Sequence, residues 1–183
     1  MKFSVAVSSI FMACSALAVP ATNPVRHKAF DVMASHPHSP IHEAALGAAK
    51  KGLFLNLPKQ KATCNGENNR ATLYLEGSKL FLYSDDDKPQ LIFVDRSGMG
   101  RGIIGYVDAG QSFPRNSEVD GWSINSKGAL VFDGSDLQAC PNSIDGAWSV
   151  WMSGVQKPGG IEGCLGFNAL VVPNEKPVSC QYS

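Results

Sequence analysis

The sequence is short of charge, and no sign dominates: 17% of its 183 residues are charged, with 16 Lys and Arg against 16 Asp and Glu. A broad basic surface is therefore missing, and neither nucleic acid nor an anionic lipid surface is an expected partner. Asn-x-Ser/Thr is absent, since Asn116-Ser117 runs into Glu118 and Asn142-Ser143 into Ile144, so N-glycosylation is not expected. Beyond the first residues no long apolar run appears, and Pro173 to Ser183 carries Glu175, Lys176 and Gln181, which predicts no transmembrane segment or lipid anchor. Gly-x-Ser-x-Gly is also absent. All four histidines (His27, His36, His38 and His42) fall in one stretch, from which any Ser-His or Cys-His pair would have to draw its base. No catalytic residue and no cofactor is assigned.

What is present begins with an address. Met1 and Lys2 precede an apolar run from Phe3 to Leu17, too short to span a bilayer, and Ala16-Leu17-Ala18 supplies the small residues of a signal cleavage site. Residues 1–18 are read as a secretory signal peptide, with Ala21 as the alternative cleavage point. Residues 19–29, with Pro20 and Pro24, read as a flexible leader, and residues 30–183 as one β-rich domain. Losing the signal removes Lys2 and Cys14, so the mature chain carries one net negative charge and four cysteines: Cys64, Cys140, Cys164 and Cys180. An even number outside the cell implies two disulfides, and the wide spacing disfavours zinc. Three pairings are open. Cys140 with Cys164 and Cys64 with Cys180 is favoured, because the first closes a local β-unit and the second ties the chain end to the early sheet.

From Phe30 onward, short apolar runs alternate with Gly, Pro, Asn, Asp and Ser, which predicts an all-β fold. Ten strands are expected: 30–35, 52–57, 72–76, 79–84, 90–95, 103–108, 121–125, 129–133, 147–153 and 164–172. They suit a single antiparallel sandwich or barrel. A faint likeness between the hairpins 73–82 and 122–132 makes a trefoil the alternative, although any two hairpins look alike at this level. At most one short helix is expected, over 42–51, held to about two turns by Gly47 and Gly52.

Four residues are candidate ligand contacts. Trp122 and Trp151 could stack on a sugar ring, and Trp148 and Trp151, three apart in a strand, should face opposite sides. Asp95 and Arg96 precede Gly98-Met99-Gly100-Arg101-Gly102, which resembles a phosphate loop but lacks the Gly-Lys-Ser/Thr that opens a helix, so structural glycines and an Asp95–Arg96 ion pair across the turn are expected instead. His36, His38 and His42 suit zinc or copper by chemistry, yet Pro37 and Pro40 favour a solvated loop, and no metal ligand is assigned. Asp85-Asp86-Asp87 lacks the spacing of a calcium loop and reads as a solvated hairpin tip.

Ser39-Pro40-Ile41-His42, Val94-Asp95-Arg96-Ser97-Gly98-Met99-Gly100, Ile104-Gly105-Tyr106, Gly121-Trp122, Ala139-Cys140-Pro141 and Trp148-Ser149-Val150-Trp151 follow one another in order over most of the mature chain. In this the sequence resembles the PhiA family of fungal cell wall proteins, with Arg101 standing where the family pattern has Gln. The resemblance implies a non-enzymatic protein secreted to the cell wall of a filamentous fungus, serving phialide and conidium formation and stress protection. Wall glucan or chitin is the partner considered. The alternatives are a secreted carbohydrate-active enzyme, or an effector or binding protein acting on wall polysaccharide or a competing microbe. Oligomeric state is left open.

Overall fold

The computed structural model describes residues 28–86 and 88–183. The expected signal peptide, the leader up to His27, and Asp87 lie outside the described residues. In chain order the strands are β1 (Ala29–Ser35), β2 (Leu46–Ala49), β3 (Gly52–Leu55), β4 (Thr63–Cys64), β5 (Thr72–Glu76), β6 (Lys79–Leu82) and β7 (Gln90–Asp95). They continue as β8 (Ile103–Val107), β9 (Trp122–Ile124), β10 (Ala129–Phe132), β11 (Leu137–Cys140), β12 (Trp148–Met152), β13 (Leu165–Pro173) and β14 (Cys180–Gln181).

Antiparallel pairing runs β1-β5-β6-β7-β8-β3-β12-β11-β13 and returns to β1 through the register Phe30↔Pro173 to Ser35↔Asn168, so the sheet closes into a barrel of nine strands. Closure leaves the nine-strand circuit without the free edges of a sandwich. The β9–β10 hairpin hangs from β13, and β2 pairs only with β3. The two hairpins that looked alike therefore hold unlike places, β5–β6 within the circuit and β9–β10 outside it, and the trefoil alternative is not formed.

Period-two alternation builds the core. Leu80 and Leu82, Ile92 and Val94, Ile104 and Tyr106, and Val150 and Met152 all point inward and are buried. Each of the ten expected segments holds a strand, and β1 starts one residue early, at Ala29. The one short helix allowed for over 42–51 is not formed. Leu46–Ala49 is instead a wholly buried strand, joined to β3 by Lys50 and Lys51, both at positive φ (46° and 61°). Local helix propensity yields here because the strand buries Leu46 and Ala48 in the main core on one side and packs Ala49 with Phe54 and Leu57 on the other, so both faces are covered. The helical elements among the described residues are two single 3-10 turns, Ile144–Gly146 and Pro158–Gly160.

Cys64 is bonded to Cys180 and Cys140 to Cys164. The first bridge joins β4 to β14 and carries the chain end into the body. Tyr182 is buried: its N–H donates to Gln90 Oε1 (2.8 Å), its carbonyl accepts from Gln90 Nε2 (2.7 Å), and its hydroxyl accepts from the Thr72 N–H (3.2 Å). Tyr106 Oη donates to the Ser183 carbonyl (2.6 Å). Burial raises the Tyr182 phenol to about 12 and pushes Tyr106 up as well, so both stay neutral.

Candidate functional site

β7 ends at Asp95 and β8 begins at Ile103, and the seven residues between them fold back on themselves. Asp95 is 8% exposed, and its Oδ1 accepts the Ser97 N–H at 2.9 Å. Ser97 Oγ accepts the Gly100 N–H (3.2 Å), the Ser97 carbonyl accepts the Arg101 N–H (2.8 Å), and the Asp95 carbonyl accepts the Gly102 N–H (2.8 Å). The amides of Ser97, Gly100, Arg101 and Gly102, which a phosphate loop would aim at a ligand, are thus consumed inside the turn. Gly100 lies so close to the carboxylate that a Cβ there would sit 2.0 Å from Asp95 Cγ. Met99, 94% exposed, forms the tip.

Arg96 does not pair with Asp95, contrary to expectation. Successive strand residues point to opposite faces, and the Asp95 side chain turns into the β7–β8 turn while Arg96 reaches outward. Its guanidinium forks onto Glu118, with Nε 2.9 Å from Oε1 and Nη2 against Oε2, and Nη2 also meets Asp133 Oδ2 at 2.8 Å. These bonds raise the Arg96 pKa and hold the Glu118 carboxyl below its ordinary value. The guanidinium carbon lies 5.1 Å above the Phe132 ring, whose centroid is 5.1 Å from that of Trp122, edge to face. Arg96, Phe132 and Trp122 therefore form one stack running from surface to core. Trp122 is 1% exposed and its Nε1 has no partner among the described residues. Trp122, expected as a ligand contact, is instead a core side chain covered by Phe132.

Trp151 is different. Val150 and Met152 are buried and Trp148 packs on the core, while Trp151 stands half-buried on the outer face, so the two tryptophans do lie on opposite sides. In register, Trp151 lies between Gln138 on β11 and Ile103 on β8. Its Nε1–H donates to Ser149 Oγ (2.9 Å), which fixes the ring along the strand. The loop 153–163 is tied beside it: Gln138 Nε2 donates to the carbonyls of Met152 (2.7 Å) and Val155 (3.0 Å), and Arg101 Nη2 donates to the Gln156 carbonyl (3.2 Å). Gly159 comes against the ring, where a Cβ would lie 3.2 Å from Trp151 Cη2. A shallow depression of about 480 Å³ follows, bordered by Gln138, Gln156, Ile161 and the Lys157–Glu162 ion pair. The Asp95–Gly102 turn and the Trp148–Trp151 strand, far apart in sequence, meet here through Arg101 and Ile103.

A family model described as PhiA-like secreted protein matches residues 30–183. The chain belongs to that family. Cell wall protein phiA of Aspergillus niger is 44% identical over 95% of this chain and 96% of the relative. The protein of the same name from Emericella nidulans is 44% identical over the full length of both, and that of Arthroderma benhamiae is 38% identical over 78% of this chain and 81% of its own. No solved structure matches.

In this PhiA-like chain the remaining candidates are dispersed. His36 donates its N–H to His42 Nδ1 (3.3 Å) and its Nδ1–H to the Gly166 carbonyl, while His38 is exposed; His27 lies outside the described residues. No group of three or more His, Cys, Asp or Glu among the described residues is placed to hold a metal. Asp85 accepts the Tyr83 hydroxyl at 2.6 Å. No helix among the described residues is long and apolar enough to cross a membrane. Sequence reasoning missed Glu118, Asp133 and Phe132 as partners of Arg96, and Gln138 as the clamp on the 153–163 loop. No local signal marks these residues, because each acts on a segment distant in sequence.

Proposed function

We propose that this PhiA-like protein is a non-enzymatic constituent of the fungal cell wall, released by cleavage after Ala18 with residues 19–29 as its leader. It serves phialide and conidium formation and stress protection, and it is retained by noncovalent contact with glucan or chitin. The relatives named as cell wall proteins support the location. The observation that supports the contact is Trp151, a half-buried indole on the outer face of β12, held by Ser149 and flanked in register by Gln138 and Ile103, with Gly159 against one edge of the ring. Such a rigid aromatic platform with a hydrated border is what a sugar ring stacks on.

Arg96 supports the non-enzymatic reading. Its fork onto Glu118 and Asp133 commits both carboxylates to a structural ion-pair network and keeps Glu118 from serving as a raised-pKa acid. The test is a pull-down of the secreted chain on insoluble glucan and chitin. Retention is expected on at least one of them, weakened about three- to tenfold by Trp151→Ala. No retention on either polymer, or retention unchanged in Trp151→Ala, overturns the contact.

A further inference from the structure

Leu73, Trp122 and Ala169 are buried at 1% exposure or less. Two residues further along the same faces, Leu75 and Val171 are only partly covered and Ile124 reaches 42% exposure. Leu75 and Val171 are inward positions of the barrel and Ile124 continues the core face of β9 beyond Trp122, so the core runs out to the surface at this end of the barrel. At the other end of β5, by Thr72, Tyr182 fills the interior. A cavity of about 790 Å³ opens where the inward positions lose cover, with Phe30, Leu75, Ile124 and Val171 as its apolar wall and Lys28 and Glu175 among its border residues.

We propose that this barrel mouth binds an uncharged, largely apolar molecule of drug-like size. Its volume lies within the ~300–1,000 Å³ of small-molecule sites, and barrel mouths are a recurrent place for them. The ligand's charge follows from the border. Lys28 and Glu175 make no ion pair among the described residues and offset one another, so the mouth presents no net charge for an ionic ligand to answer. An apolar body against Phe30, Leu75 and Val171, with a hydroxyl, carbonyl or amide at the border, matches both features. This site is separate from Trp151 and independent of wall binding.

The probes are Nile red, which is uncharged, and anilinonaphthalene sulfonate, which is anionic, each titrated into the full secreted chain. Nile red is expected to bind saturably at one per chain and at least about tenfold more tightly than the sulfonate. Ile124→Trp fills a position that is already exposed and should weaken Nile red about tenfold, while Trp151→Ala leaves it unchanged. Glu175→Lys, a surface charge reversal with no core contact to lose, should shift the preference several-fold toward the sulfonate. The proposal is overturned by no saturable Nile red binding, by tighter binding of the sulfonate, or by an unmoved preference in Glu175→Lys. It is also overturned if the chain sediments as a dimer that Ile124→Trp dissociates and takes up no dye, which would assign the mouth to a second copy.

Discussion

Gly100 occupies the space directly over the carboxylate of Asp95, where any Cβ would fall 2.0 Å from Cγ. The turn between β7 and β8 is therefore specified by two residues together, one supplying an acceptor for the Ser97 N–H and the other supplying an absent side chain.

Gly100→Ala should consequently destabilise the protein by about 2–3 kcal/mol, since either the turn or the buried carboxylate must move. In Asp95→Ala the same substitution should cost far less. A double-mutant cycle by denaturant unfolding measures the coupling, and strictly additive effects would show that the two residues do not share the space.

The disulfides should differ in worth because they close loops of different length. Cys64–Cys180 spans 116 residues and Cys140–Cys164 spans 24. Restriction of the unfolded chain predicts losses of about 5 and about 3.5 kcal/mol when each pair is replaced by Ser. Paired chemical denaturation curves check the order, and a larger loss for the shorter bridge would contradict it.

Removing Tyr182 and Ser183 should cost about 3–5 kcal/mol, because a buried aromatic ring and the partners of Gln90 and Tyr106 leave together. Tyr182→Phe keeps the ring and the backbone bonds and should cost about 1 kcal/mol. Thermal melts of both variants distinguish packing of the chain end from its hydroxyl bonds.

Stability should fall at both extremes of pH. The Asp108 carboxyl is lowered by bonds from Lys51 and Gln90, and that of Glu118 by Arg96, so their stabilisation is present above the ordinary values of 3.8 and 4.5 and is lost as pH drops through the lower folded values. Both groups are more than a third solvated or nearly so, which limits each to under about 1 kcal/mol. Tyr182 has the opposite sign. Its contribution is complete below 10 and disappears as pH rises toward about 12. Melting temperatures flat between pH 5 and pH 9 and falling on either side would agree, with phenolate absorbance rising together with unfolding on the alkaline side.

The strands were largely legible because alternation and turn chemistry are local: Gly77, at φ +60°, caps the β5–β6 hairpin from a Glu-Gly-Ser signal. β2 was not legible, since Leu46–Ala49 is composed like a helix and becomes a strand only against β3. The tryptophans show the same divide. Trp148 and Trp151 were assigned to opposite faces by spacing alone, but nothing near Trp122 in the sequence announces Phe132 and Arg96 as its cover.

What the sequence determined by itself was the all-β class, the turns and four cysteines fit for two bridges, because these depend on residues a few positions apart. The tertiary structure decided that the sheet closes rather than stacks, that Arg96 answers Glu118 and Asp133 instead of Asp95, and which indole meets solvent. Those outcomes depend on which distant strands become neighbours, and pairing of β1 with β13 across more than a hundred residues is set by how a whole core fills, not by any short stretch of chain.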